Sequence, residues 1–77
     1  MTKEEFITIL KSNQIDPHIV SFDNNVKDGY CIRKNHFRWE TLVRERGKDY
    51  DVLGFPSESN ALESLLAEIL SIYKKFQ

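Results

Sequence analysis

The sequence predicts an α+β fold in which a helix, a three- to four-stranded antiparallel meander and a second helix follow one another. Three observations predict this order. Apolar residues recur at helical spacing near both ends of the chain, apolar and polar residues alternate in its middle third, and glycine, asparagine or proline separates the segments. With 77 residues, 40% of them hydrophobic, the chain has the size and apolar content of a single domain over residues 1–77.

The N-terminal segment has the pattern of a capped helix. Thr2 and Glu5 stand at the spacing of a capping box, in which each side chain accepts a hydrogen bond from the backbone N–H of the other. An apolar stripe predicts a helix over residues 3–13, formed by Phe6, Ile7, Ile9 and Leu10. Pro17 disfavours a helical conformation in the residue before it, so the helix ends earlier. We expect the β-rich segment 19–22 that follows to be extended.

The middle third predicts three strands. Turn-forming residues at 23–25 precede a first strand over 30–33, a second strand spans 37–45, and a third spans 50–55. In the second strand, one face is predicted to lie on the core and carries Trp39, Thr41 and Val43. The opposite face is predicted to lie in water and carries Arg38, Glu40, Leu42 and Arg44. Gly47 suits a turn that needs a left-handed residue.

The C-terminal segment has the strongest periodic pattern in the chain. Pro56 ends the last strand, and Ser57 or Ser59 is placed to cap the helix that follows. Apolar residues then recur at steps of three and four, namely Leu62, Leu65, Leu66, Ile69, Leu70, Tyr73 and Phe76. This pattern predicts an amphipathic helix whose apolar stripe covers the sheet.

Composition restricts the compartment and the class of partner. The net charge of −1 gives no global attraction to a polyanion, and the single cysteine, Cys31, excludes an intrachain disulfide. The N-terminus lacks the apolar run of a signal peptide, and no segment approaches the roughly 20 apolar residues that span a bilayer. We therefore expect a cytoplasmic protein with no membrane contact.

Candidate catalytic and metal-binding residues are few. Cys31 with His18 or His36 has the chemistry of a nucleophile and its base, or of a three-ligand metal site, but the spacing matches no such pattern. Asp49 and Asp51 are two residues apart, so both carboxylates would project from one face of a strand, although solvated residues beside a hairpin have the same pattern. We expect no enzyme activity, no cofactor and no metal.

Two interpretations involve the middle of the chain. Basic residues outnumber acidic ones from Lys27 to Lys48 and are interleaved with Tyr30, Phe37 and Trp39. This pattern is typical of a sheet that binds nucleic acid. Against this interpretation, the start of the last helix carries the acidic Glu58 where lysines would be needed to bind phosphates. Nucleic-acid binding therefore stays the alternative function. Trp39 itself suits either a core anchor or an exposed binding hot spot.

A third interpretation concerns self-association. If the apolar stripe of the last helix were exposed, the chain would dimerise through Leu62, Leu66, Ile69 and Tyr73. We expect a monomer or a weak homodimer.

Several short motifs resemble those of small bacterial proteins that are encoded beside secreted polymorphic toxins and are regarded as their immunity proteins. They are the aromatic strand and turn over 39–47 (WETLVRERG), the phenylalanine and helix start over 55–61 (FPSESNA), and the tyrosine-containing strand over 29–32 (GYCI). A capped N-terminal helix and a leucine-rich C-terminal helix complete the resemblance. It covers most of the chain.

The resemblance implies a stoichiometric inhibitor that binds a toxin domain and blocks it. Such an inhibitor needs a rigid surface with complementary charge and a few anchoring side chains, and it needs no catalytic group. The candidate partner-binding residues stand on the predicted solvent face of the second strand or at its end, namely Arg38, Glu40, Arg44, Glu45 and Arg46. For Glu45 and Arg46, an ion pair that secures the hairpin is an equal alternative.

Overall fold

A computed structural model describes residues 1–22 and 28–74. The elements are α1 (Lys3–Ser12), a short 3-10 helix (Pro17–Ile19), β1 (Val20–Phe22), β2 (Gly29–Asn35), β3 (Arg38–Glu45), β4 (Lys48–Phe55) and α2 (Glu58–Lys74). The α+β class and the order of helix, strands and helix are therefore confirmed. The predicted turn at 23–25 and the predicted place of Phe76 on the apolar stripe lie outside the described residues.

Both predicted helix starts are present. Thr2 accepts a hydrogen bond from the Glu5 N–H at 3.1 Å, and Glu5 accepts one from the Thr2 N–H at 3.3 Å, which completes the capping box of α1. At α2 the Ser57 hydroxyl accepts a hydrogen bond from the Asn60 N–H at 3.1 Å, so Ser57 is the capping serine.

The four strands form one mixed sheet in the order β1-β2-β3-β4. The β2–β3 and β3–β4 pairs are antiparallel, as a meander requires, but β1 runs parallel to β2, with Val20 opposite Tyr30. This pairing differs from the antiparallel meander that the sequence predicts. A three-residue strand carries no pattern that sets its direction, so the sequence could not distinguish the two arrangements.

An irregularity in β4 changes which residues share a face. Thr41 is opposite Leu53, but Val43 is opposite Tyr50, so β4 has one residue more than β3 over this stretch. The extra residue is a β-bulge in which Asp51 has a left-handed φ of 54°. From uniform alternation, the sequence predicts Tyr50 and Val52 on one face of the third strand and Leu53 and Phe55 on the other. The bulge brings Tyr50 and Leu53 to the same face, so this prediction is wrong.

The core lies on one face of the sheet. Phe6 and Leu10 of α1 and Leu65 and Ile69 of α2 are buried against Ile32 of β2. Partly buried residues extend this cluster along the same face of the sheet, among them Tyr30, Trp39 and Phe55. No helix in the described part of the chain is long and apolar enough to cross a membrane.

Candidate functional site

The face of the sheet that the helices leave uncovered carries three of the five predicted partner-binding residues. Because residues directly opposite each other in a sheet share a face, the strand pairing places Arg38 beside Asn35, Glu40 beside Arg33, and Arg44 beside Asp49. We call this side the outer face. It brings together Arg38, Glu40 and Arg44, as the alternation of β3 predicts.

Glu40 is buried on the outer face, although its side was predicted to lie in water. Only 2% of the residue is exposed, because three side chains donate hydrogen bonds to its carboxylate. Arg38 donates through Nη2 at 2.6 Å, Arg33 through Nε at 3.0 Å, and Asn35 through Nδ2 at 3.2 Å. These bonds, the one from Arg38 foremost, hold the pKa of the Glu40 carboxyl below its usual value against the opposing effect of burial.

Arg33 continues this arrangement across the sheet. Its Nε contacts Glu40, and its Nη1 lies 3.4 Å from an Asp49 carboxylate oxygen. Asp49 also accepts a hydrogen bond from Arg44 Nε at 2.9 Å, which lowers the pKa of the Asp49 carboxyl and raises the pKa of the Arg44 guanidinium. Five charged side chains are therefore linked in series, and we call them the ion-pair chain: Arg38, Glu40, Arg33, Asp49 and Arg44.

The ion-pair chain covers a small apolar pair. Cys31 and Leu42 face each other on the outer face, outside the main core, and are 0% and 2% exposed. On the outer face, Arg33 is the next residue after Cys31 along β2, and Asp49 lies opposite Arg44, which is the next residue after Leu42 along β3. The contact between Arg33 and Asp49 therefore crosses over Cys31 and Leu42 and shields them from water. Burial accordingly raises the pKa of the Cys31 thiol, which is the opposite of what a reactive thiolate needs.

Gly54 makes room for one end of the ion-pair chain. It is opposite Glu40 on β4, and a Cβ placed on it would lie 2.8 Å from Nη1 of Arg38. The Arg38 guanidinium therefore lies against the backbone of Gly54 while it donates to Glu40. Because 58% of its side chain is still exposed, Arg38 is the most accessible of the three arginines in the ion-pair chain.

The other two predicted residues, Glu45 and Arg46, lie at the turn between β3 and β4 and are exposed. In the part of the chain that the structure describes, neither forms an ion pair, so the ion-pair interpretation of these two residues is not supported. The backbone N–H of Arg46 instead donates to Asp28 at 3.2 Å, and Arg46 has a left-handed φ of 53°. Gly47 follows with a φ of 79°, so the left-handed turn residue that the sequence predicts at this position is confirmed.

Two residues of the ion-pair chain, Arg33 and Asp49, were missing from the predicted site. Arg33 could have been found from its position opposite Glu40 in the first hairpin, but only if the turn is known to fall at His36 and Phe37. Finding Asp49 would have required knowing the strand register of the second hairpin. The predicted pairing of Asp49 and Asp51 on one face fails, because Asp51 is the bulged residue and Asp49 binds arginines.

The alternative catalytic and metal sites do not assemble in the described residues. His36 stands at the tip of the first hairpin, just past the end of β2 and five residues after Cys31, so the two are about 16 Å apart along the strand direction. His18 is exposed and pairs with Asp16, Nδ1 to Oδ1 at 2.8 Å. Over residues 1–22 and 28–74, no group of three or more His, Cys, Asp or Glu side chains is placed to hold a metal ion.

The structure also bears on the two interpretations of Trp39 and on the apolar stripe of α2. Trp39 is half-buried under the helices and packs against the core, which confirms the core-anchor interpretation. Leu62, Leu66 and Ile69 are at most 7% exposed in the core, so the exposure that a dimer through this stripe requires is not present at these three residues. Only Tyr73, at 37%, keeps substantial exposure.

The fold and the outer face define a small α+β domain with an uncovered, charge-bearing sheet. No protein-family model matches the chain, and neither does any curated protein or solved structure. The candidate site therefore rests on its own geometry.

Proposed function

We propose that this protein is a non-catalytic protein-binding module of the immunity type, which binds and neutralises a cognate bacterial toxin domain in the cytoplasm. The observation that supports the proposal is the outer face of the sheet. It carries the ion-pair chain and is free of helices in the described residues, because α1 and α2 both pack on the other side.

The ion-pair chain suits recognition because it is already ordered. Binding through long charged side chains normally costs conformational entropy when they are immobilised. Here Arg33 and Arg44 are held by carboxylates and are only 22% and 25% exposed, so much of that entropy is lost during folding. A partner that meets this surface therefore binds a rigid pattern of charge.

The sign of that pattern favours an acidic partner. Three guanidiniums and two carboxylates leave one positive charge in excess, and Arg38 at one end is the most exposed of the five. Arg46 adds another exposed cation at the turn after β3. Complementary charge of this kind speeds encounter and excludes wrong partners.

Calorimetric titration with the C-terminal domain of a secreted toxin encoded beside this gene tests the proposal. We expect stoichiometric binding, at least about tenfold weaker in Arg38→Ala and in Arg46→Ala, because exposed arginines are frequent anchors of interfaces. Lys11→Ala, which removes an exposed cation from α1, is the matched control and should bind like the wild type. The absence of measurable binding between the toxin domain and the wild-type protein would refute the proposal.

Nucleic-acid binding through the same face is the competing proposal. Against it, Glu40 and Asp49 lie among the arginines of the outer face and offset most of their positive charge, which weakens the attraction to phosphates. Fluorescence anisotropy with duplex RNA and duplex DNA at several salt concentrations separates the two proposals. An affinity for either duplex that falls about 10³-fold or more between 50 and 200 mM salt would establish the competing function.

A further inference from the structure

The loop between β2 and β3 presents an aromatic side chain to water. Asn35 is opposite Arg38, so the loop consists of His36 and Phe37 alone, and His36 has a left-handed φ of 57°. Phe37 is 100% exposed, whereas the other exposed large hydrophobic residues within 1–22 and 28–74 lie between 37% and 50%. Singly exposed hydrophobic residues are ordinary on protein surfaces. The phenyl ring of Phe37 is distinguished by its complete exposure at the tip of a two-residue loop, where it protrudes far enough to enter a pocket of another molecule.

A pocket of suitable size lies at the same end of the sheet. Its volume is about 210 Å³, and its lining residues are Lys3, Phe22, Ile32, Trp39, Glu58 and Leu62. Trp39 belongs to the strand pair next to Asn35 and Arg38, which close the hairpin. The protruding ring and the pocket are therefore neighbours on one end of the molecule, although Phe37 does not fill the pocket of its own chain.

The chemistry of the pocket matches an aromatic side chain beside a cation. An apolar cavity of about 150 Å³ holds benzene, so the available volume accepts a phenyl ring. Lys3 Nζ lies 4.4 Å from the ring centroid of Phe22. A phenyl ring inserted in the pocket would form a second cation–π contact with the same ammonium group. Glu58 supplies a carboxylate for the exposed Lys34 that flanks the loop.

We propose that two copies of this chain associate reciprocally, with Phe37 of each copy inserted in the pocket of the other. Because ring and pocket lie at the same end of the sheet, one two-fold axis satisfies both contacts and the assembly closes as a dimer. Lys34 of each copy then meets Glu58 of the other. The outer face takes no part in this contact, so the inference stands or falls independently of the proposed function.

The single tryptophan gives a direct measurement, because Trp39 lines the pocket. Dilution of the full chain, followed by sedimentation equilibrium and by tryptophan emission, should show dissociation of a dimer together with a shift in the emission of Trp39. Phe37→Ala should weaken association at least about tenfold, since a desolvated aromatic anchor carries much of the energy of a contact. Val52→Ala, at an exposed apolar residue of β4, is the matched control and should leave association unchanged.

An exchange of charges gives an independent check. K34E and E58K should each dimerise more weakly than the wild type, because each homodimer then opposes like charges. Mixing the two variants should restore association, since the mixed dimer regains both ion pairs. Circular dichroism of each variant confirms that it is folded.

Three results would overturn the inference. They are a chain that stays monomeric up to about 1 mM, a dimer that is unaffected by Phe37→Ala, and association without any change in the emission of Trp39. A dimer that survives Phe37→Ala but dissociates in Val52→Ala would place the contact along β4 instead.

Discussion

The two faces of the sheet are buried in different ways. On the helix-covered face, apolar side chains such as Ile32 pack against α1 and α2 in one continuous core. On the outer face, Cys31 and Leu42 are buried equally well, yet the side chains above them are charged. Arginine side chains can pack their aliphatic stems on apolar residues while their guanidinium groups bind carboxylates. A layer of charged side chains can therefore exclude water from this face, as the helices do on the other.

This difference shows that alternation predicts the face of a residue and not its exposure. The pattern of β3 correctly assigned Glu40 and Leu42 to the face away from the helices. It did not show that Arg33 and Asp49, from the neighbouring strands, close over them. Burial on an open face depends on contacts between strands, which a single strand's pattern does not contain.

The largest expected effect compares one buried leucine from each face. Leu65→Ala, under α2, should lower the free energy of unfolding by about 3–5 kcal/mol, because the rigid core cannot close the cavity. Leu42→Ala should cost less, about 2–3 kcal/mol, because Arg33 and Asp49 can settle into the space. Urea unfolding of both variants measures the difference. Equal losses would mean that the polar layer is as rigid as the core.

The exposed Leu53 provides the control for both truncations. It is 50% exposed on β4, so Leu53→Ala should change the free energy of unfolding by about 0.5 kcal/mol or less. A larger loss would show that leucine substitutions disturb this sheet regardless of burial.

The second prediction removes the charge at the centre of the outer face. Glu40→Gln keeps the shape of the side chain but loses the charge that Arg33 and Arg38 bind, so the free energy of unfolding should fall by about 1.5–3 kcal/mol. Thermal and urea unfolding near neutral pH measure it. Glu63→Gln on α2, at a carboxylate whose side chain is 58% exposed, is the matched control and should have little effect.

The same carboxylate predicts how stability depends on acid. The pKa of Glu40 is lower in the folded protein than its usual value, so its contribution is complete above about pH 4.3 and is lost as pH falls through the lower, folded pKa. Asp49 acts in the same direction, because Arg44 lowers its pKa. Denaturation midpoints between pH 2 and 6 should therefore fall less steeply for Glu40→Gln than for the wild type. Parallel curves would show that Glu40 does not bind its proton differently on folding.

Much of the fold followed from local patterns in the sequence. The capping box at Thr2 and Glu5 and the leucine stripe of α2 act over neighbouring turns, so the residues that define them are close in the chain. The alternation of β3 likewise put Trp39 on the core face, although the sequence left a binding hot spot as an alternative that its packing against the core then decided. Such elements are predictable because the physics that forms them is local.

The candidate site was less predictable because it depends on register. Arg33 binds Glu40 only if the first turn falls at His36 and Phe37, and the bulge at Asp51 shifts every later residue of β4 by one place. Neither feature has a distinctive local sequence, since His36 and Asp51 tolerate a left-handed conformation but do not mark one as clearly as glycine does. Three of the five predicted partner-binding residues still fell on one surface, because period-2 alternation survives within β3.

The smallest expected effect tests whether the glycine opposite Glu40 holds the end of the ion-pair chain in place. In Gly54→Ala, the new Cβ would meet the flexible end of Arg38 at 2.8 Å, so the guanidinium should move away from Glu40 while the strand stays intact. We expect a loss of about 1 kcal/mol or less in the free energy of unfolding.

A double-mutant cycle isolates that contact. In the Arg38→Ala background no guanidinium lies over Gly54, so Gly54→Ala should there cost nothing measurable by urea unfolding. If the cost persisted in that background, its cause would be the backbone of β4 itself. The backbone of β4 and its bulge would then determine how the side chains of the outer face are arranged, and the contact between Gly54 and Arg38 would not.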